Sequence, residues 1–239
     1  SSLNGSSVGG DTAILSITIN PIIDGAPQYT DGVTDEDVQT SSGLVITPDS
    51  VDGIEVIHFQ VSSISNGKLY KNDGVSELVD GDFVSSTVSA LGLRFTPDAH
   101  FNGTGSFVVQ GSLDGVSASG GTSTVSITVN AVIDGLPIVV DRTTDEDTRV
   151  EDLSVSINAN DGSEVTHMQV SSIENGTLYK GTTTEVSAGE YLLISELDNI
   201  DFEPDLNYHG TGSVGLVSSL DGSSVGGDTA ILSITINPI

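Results

Sequence analysis

The sequence predicts an all-β fold: tandem Greek-key β-sandwich modules in an extended rod. Three observations carry this. Apolar residues alternate with polar ones at period two, turn signals are dense, and the chain repeats itself at an interval of about 110 residues, the size of one sandwich of roughly seven strands.

The alternation is clear in several runs. Over 125–130, Val125, Ile127 and Val129 alternate with Ser126, Thr128 and Asn130. Over 15–20, Leu15, Ile17 and Ile19 alternate with Ser16, Thr18 and Asn20. Over 54–61, Ile57, Phe59 and Val61 are assigned to the buried face, and Val56, His58 and Gln60 to the wet one. Such a pattern describes antiparallel strands with one face on a core and one in water. No run has a helical period. Between the runs stand 28 glycines and the turn dipeptides Asn66-Gly67, Asp73-Gly74, Asn175-Gly176 and Asp221-Gly222.

The repetition sets the domain plan. Residues 1–22 return as 218–239, with Asn4 against Asp221 as the single difference, and a looser copy occupies 111–132. Asp24-Gly25-Ala26-Pro27 matches Asp134-Gly135-Leu136-Pro137, and Thr34-Asp35-Glu36-Asp37 matches Thr144-Asp145-Glu146-Asp147, both at an offset of 110. The offset falls to 107 by the segment 95–106, which matches 202–213, so the length changes lie in loops. The plan is therefore the terminal strands of a preceding module (1–22), one full module (23–132) and a second (133–239).

Charge excludes whole classes of partner. Lys and Arg total 6 against 34 Asp and Glu, a formal net charge of −28. Nucleic acid and anionic membranes need clustered cations, so neither is expected as a partner. Hydrophobic residues still make up 36% of the chain, enough for a core, which leaves the acid in loops and on faces. A surplus of carboxylate oxygen with no Cys and only 4 His favours a hard cation, calcium, over zinc or copper. No apolar run approaches the length of a membrane helix, and the start Ser1-Ser2-Leu3-Asn4-Gly5 is no signal peptide, so the segment reads as cut from a longer polypeptide.

Two acidic sets recur at matched positions. The first joins the linker acid, Asp24 or Asp134, to the run Asp35, Glu36 and Asp37 or Asp145, Glu146 and Asp147, with one loop acid, Asp114 or Asp221, from Ser-Leu-Asp-Gly. Three consecutive acids in one turn repel one another unless a cation lies among them, so this set reads as a calcium site at a module junction. The second set is Asp49, Asp52 and Glu55 in one module and Asn158, Asn160, Asp161 and Glu164 in the other. Alternating Asp and Asn oxygens ahead of a turn suit a calcium loop, and equally a turn with no metal.

Other motifs read as structural. Phe101 and Tyr208, in Pro-Asp-x-x-aromatic-x-Gly-Thr-Gly, plug a strand-to-strand corner, with Asp98 and Asp205 as turn caps. His58 and His167 fall on the outward face of a strand. His100 and His209 share the corner loop at unmatched positions, so no histidine is assigned a role. No Gly-x-Ser-x-Gly elbow and no phosphate loop appears, and the chain reads as no enzyme.

The ordered set Asp-Gly-x-Pro, Thr-Asp-Glu-Asp, Asn-Gly-x-Leu-Tyr, Phe-x-Pro-Asp-x-x-(Phe/Tyr)-x-Gly-Thr-Gly-Ser, Asp-Gly and Ser-Ile-Thr-(Val/Ile)-Asn resembles the cadherin-like tandem repeats of giant bacterial RTX-type surface adhesins. The resemblance spans both modules. It implies Ig-like sandwiches, calcium at or near junctions, a place on the bacterial cell surface, and a role as extender between an anchored end and a ligand-binding tip. Two departures lower the expected ion count: the linker reads Ile-Asp-Gly-x-Pro where Asn-Asp-x-Pro is usual, and Val51 stands where module two has Asn160. The partners it implies are neighbouring repeats. The alternatives are a subunit of an extracellular filament or surface layer, with the 1–22 segment pairing end to end by strand addition, and a glycan-binding module.

Overall fold

The computed structural model describes residues 14–239. Residues 23–130 carry ten strands: β1 (Gln28–Tyr29), β2 (Gly32–Asp35), β3 (Ile46–Thr47), β4 (His58–Ser65), β5 (Gly67–Tyr70), β6 (Glu77–Leu78), β7 (Phe83–Ser85), β8 (Arg94–Pro97), β9 (Gly103–Ser112) and β10 (Thr122–Asn130). Eight more follow: β11 (Arg142–Asp145), β12 (His167–Glu174), β13 (Gly176–Lys180), β14 (Thr184–Val186), β15 (Tyr191–Leu193), β16 (Ile200–Pro204), β17 (Gly210–Ser219) and β18 (Ala230–Asn237). The fold is all-β, as the alternation requires.

The two halves have the same topology. One carries a five-stranded sheet β2-β10-β9-β4-β7 facing a three-stranded sheet β6-β5-β8; the other carries β11-β18-β17-β12-β15 facing β14-β13-β16. In each half the first long-sheet strand runs parallel to the last, β2 beside β10 and β11 beside β18, while every other ladder of these four sheets is antiparallel. Chain-adjacent β4 and β5 lie in different sheets, as do β12 and β13. Such crossings between layers make a sandwich.

Each half has its own core. Phe59, Val61, Phe107, Val109, Val125 and Ile127 from the long sheet meet Leu69, Leu78 and Phe95 from the short one. Met168, Val170, Val214, Leu216, Leu232 and Ile234 meet Leu178, Val186 and Phe202 in the other half. Phe101 and Tyr208 pack against these cores from the corner loops, in the role read from the motif. The glycines around them follow from Phe95 and Phe202: a Cβ at Gly105 would lie 2.6 Å from the Phe95 ring, and one at Gly212 2.8 Å from that of Phe202.

The alternation fails at the start of β4. Val56, assigned to the wet face, is buried, whereas Ile57, assigned to the core, is 45% exposed. The strand begins only at His58. The preceding residues leave a 3-10 turn at Gly53–Glu55, so the period-two phase resets between 57 and 58. Residues 14–22 form no strand, and Leu15, Ile17 and Ile19 are exposed. Their copies in β18, Leu232, Ile234 and Ile236, are core residues. The rest of the expected 1–22 segment lies outside the described residues.

Candidate cation site at the module junction

The site is built from three local rules of chain geometry. First, strand β2 ends in Asp35, whose Oδ1 accepts a hydrogen bond from Asn130 Nδ2 at 3.0 Å. The chain then turns, and Asp37 takes a left-handed φ of 56°, a region Asp tolerates better than most residues. This turn buries Glu36, only 3% exposed, at the end of the sandwich where β10 exits. Glu36 Oε1 accepts the backbone N–H of Val132 at 2.5 Å, which ties the linker to the first half.

Second, the linker continues to Asp134-Gly135, where Asp161 receives it. Asp161 is 1% exposed, and its Oδ1 accepts the N–H of Asp134 at 2.5 Å and of Gly135 at 3.3 Å. This requires a glycine. A Cβ at Gly135 would lie 2.6 Å from Asn158 Cγ, and one at Gly25 would lie 2.5 Å from Asp49 Cβ. The Asp-Gly step of the repeat is thus the place where the acidic loop closes over the linker.

Third, the corner between β8 and β9 leans across. His100 Nδ1 is 2.9 Å from Asp134 Oδ2 and 3.2 Å from Asp37 Oδ2, and Asn102 Nδ2 donates to Glu164 Oε2 at 2.5 Å. The junction therefore gathers Glu36 and Asp37 from one half, Asp134 from the linker, and Asp161 and Glu164 from the other half.

Three oxygens at this place are buried without any hydrogen-bond partner: Glu36 Oε2, Asp161 Oδ2 and Glu164 Oε1. A buried carboxylate oxygen left so costs several kcal/mol. The carboxylates also repel. Burial and the charge of Glu36 come first, then direct contact between the Glu36 and Glu164 carboxyls, then the charges of Asp161 and Asp134; together they push the Glu164 carboxyl up to about 7. The Asp134 carboxylate, helped by the charges of Asp37 and Glu36, holds the His100 imidazole above its ordinary value. A hard divalent cation answers both problems, since calcium takes six to eight oxygens and cancels charge. The donor set fits: unpartnered carboxylate oxygens of Glu36, Asp161 and Glu164, from both halves, with no sulfur.

The two acidic sets kept apart in sequence terms meet here. Asp134, Glu36 and Asp37 of the first lie with Asp161 and Glu164 of the second. Other candidates have different surroundings. Asp35 and Asp145 each accept from the terminal Asn of the neighbouring strand, Asn130 and Asn237. Asn158 Oδ1 accepts the N–H of Asn160, which is exposed. Asp49 accepts the N–H of Val51 and the Gln28 amide. Asp114 Oδ1 takes the N–H groups of Val116 and Ser117, and Asp221 Oδ1 those of Ser223 and Ser224. These bonds hold both carboxyls below the usual carboxylate range. The hydrogen-bond partners of Asp114 and Asp221 thus lie within their own turns.

The same parts recur at the chain's outer ends. Asp52, 4% exposed, accepts the N–H of Asp24 at 2.7 Å and of Gly25 at 3.1 Å, with exposed Glu55 close by in sequence. Glu146 Oε1 accepts the N–H of Ile239 at 2.9 Å, and Asp147 Oδ1 that of Asn207 at 2.7 Å. Glu146 and Asp147 repeat the bonds of Glu36 and Asp37 at the inner junction, where His100 N–H donates to Asp37 Oδ1 at 3.0 Å, while Asp52 takes its two N–H groups on separate oxygens and Asp161 takes both on Oδ1.

Sequence reasoning missed His100 and Asn102. The corner reads as a packing element, and only the tertiary fold aims its first and last polar residues at the linker. The available signal was small. Both corners carry one His and one Asn around the aromatic, in opposite order: His100-Phe101-Asn102 and Asn207-Tyr208-His209.

No family model and no curated protein matches this sequence. Among solved structures, the chain is similar to human mucin-like protocadherin EC1-2, at 11% identity over 89% of this chain and 98% of that one, with a TM-score of 0.41. It is similar to human CDH23 EC21-23 at 13% identity over 90% and 64%, TM-score 0.49. For extracellular cadherin domains 1–5 of protocadherin gamma B2 the values are 13%, 92%, 40% and 0.44. The sandwich assignment rests on this chain's own sheets and cores.

Proposed function

We propose that this chain is a calcium-stiffened extender segment of a large extracellular bacterial adhesin, a cadherin-like spacer that carries a ligand-binding tip away from the cell surface. One observation carries the reading: Glu36, Asp161 and Glu164 from two successive sandwiches each keep a buried, unpartnered oxygen at one junction. Calcium bound among them ties the halves through shared ligands. Without it, the like charges at the junction, within a chain of net charge −28, push the halves apart. The ordered repeat motifs support the adhesin context. Among the described residues no helix is long and apolar enough to cross a membrane.

The test is to strip the chain with EDTA, add calcium back, and follow melting temperature and small-angle scattering. Calcium raises the melting temperature by mass action and lengthens the particle. Equal curves with and without metal end the proposal. A second reading, a filament subunit, has one supporting observation: the exposed apolar run Leu15, Ile17 and Ile19. Concentration-dependent sedimentation tests it.

A further inference from the structure

The rim of the inner junction carries an imidazole, which the calcium reading does not use. His100 Nδ1 faces two carboxylate oxygens, Asp134 Oδ2 at 2.9 Å and Asp37 Oδ2 at 3.2 Å, and ligand atoms of the three residues all lie within 4.8 Å of one another. In a tetrahedral site with bonds of about 2.0–2.1 Å, ligand atoms stand about 3.3 Å apart. Both carboxylate oxygens thus lie from the imidazole nitrogen at about the spacing that one small ion needs. Calcium takes oxygen ligands, whereas imidazole suits zinc and its first-row neighbours.

The arrangement is held, not incidental. Asp37 spends its other oxygen, Oδ1, on the N–H of His100, whose backbone sits at a left-handed φ of 54°. The side chains of His100, Asp37 and Asp134 are 41%, 40% and 21% exposed, so a hydrated ion can reach them. Glu36, 3% exposed with Oε2 unpartnered, precedes Asp37 in the same turn.

We propose that His100 Nδ1, Asp37 Oδ2 and Asp134 Oδ2 form a second metal site at the junction rim, selective for a borderline divalent ion of the zinc class and separate from the calcium site among Glu36, Asp161 and Glu164. It needs the junction geometry and not the calcium reading.

The experiment uses the whole chain, stripped with EDTA, returned to excess calcium and titrated with zinc by calorimetry. His100→Asn is the key variant, because Asn207 holds the equivalent corner position at a φ of 53° and the fold therefore accepts it. His209→Asn is the control. Wild type and the His209 variant are expected to take one zinc at equal affinity, with His100→Asn at least tenfold weaker and no calcium released. Nitrogen-detected histidine spectra are expected to show the metal on Nδ1 of His100. Equal zinc affinity in His100→Asn overturns the proposal, as does loss in His209→Asn instead, or release of calcium in step with zinc uptake. If zinc binds through His100 in a chain that takes no calcium, this proposal stands and the calcium reading falls; calcium binding with no zinc gives the reverse.

Discussion

Asp161 accepts the backbone N–H of Asp134 at 2.5 Å through one oxygen and leaves the other buried and unpartnered. The same side chain thus fixes where the linker enters the second sandwich and places negative charge where the first sandwich has already buried Glu36. Stability at this junction is therefore expected to depend on a counter-charge.

Asp161→Asn separates these two roles. An Asn side chain still accepts the linker N–H through its oxygen but carries no charge. In calcium the variant is expected to lose ~1–3 kcal/mol, the scale of a charge-assisted contact, and to bind calcium more weakly. In EDTA it is expected to equal or exceed wild type, because an uncompensated buried charge has gone. Thermal melts in both buffers check this; a variant weaker than wild type in EDTA would sink the conditional-stability account.

The metal-free chain is expected to be more stable at pH 5 than at pH 8. Glu164 has a folded value raised to about 7 from 4.5, so its contribution is fully present below 4.5 and lost as pH rises through 7. The raised His100 has the same sign: its contribution is present below 6.5 and lost as pH rises through the folded value. The lowered carboxyls Asp114 and Asp221 act in the opposite sense, below their ordinary value of 3.8 and outside this window. Saturating calcium is expected to remove the slope, because the ion replaces the protons. Urea midpoints at the two pH values, with and without EDTA, measure it.

Gly135→Ala forces a Cβ against the Asn158 side chain. Overpacking of this kind costs ~1–3 kcal/mol, and the loss is expected together with weaker calcium binding, since the loop carrying Asp161 must shift. A denaturant midpoint equal to wild type would show that the close approach is not needed.

Asp114→Asn and Asp221→Asn are expected to leave calcium stoichiometry unchanged. Both carboxylates are engaged by N–H groups of their own turns. A lost calcium in either variant, read by calorimetry, would put the loop acid back in a metal site.

A control for general destabilisation lies on the far side of the second core. Arg149 Nη2 contacts Asp201 Oδ2 at 3.1 Å and its guanidinium lies 4.2 Å from the Tyr179 ring centroid. The first half differs: Arg94 aligns with Asp201 and Gln39 with Arg149, and Arg94 donates to the carbonyls of Asn72 and Thr40. Asp201→Asn is expected to cost ~2 kcal/mol and to leave calcium affinity unchanged.

The sequence by itself determined the all-β class, the repeat, and the residue types at the ends of the sandwiches. Period-two alternation reports which face of a strand is buried, and spacing reports recurrence, because both are local. It misread the phase at Val56 and Ile57, where a 3-10 turn interrupts the strand, and expected strand at 14–22, where there is none. The tertiary structure alone decided which acids meet. Asp161 and Glu164 lie 125 and 128 positions beyond Glu36 in the chain, and no periodicity connects them. Their approach follows from how the linker is pinned by Glu36 at one end and Asp161 at the other. The same pinning turns His100 and Asn102, polar neighbours of a packing aromatic, toward the linker. Asp114 and Asp221, alike in type, take their hydrogen bonds from their own turns.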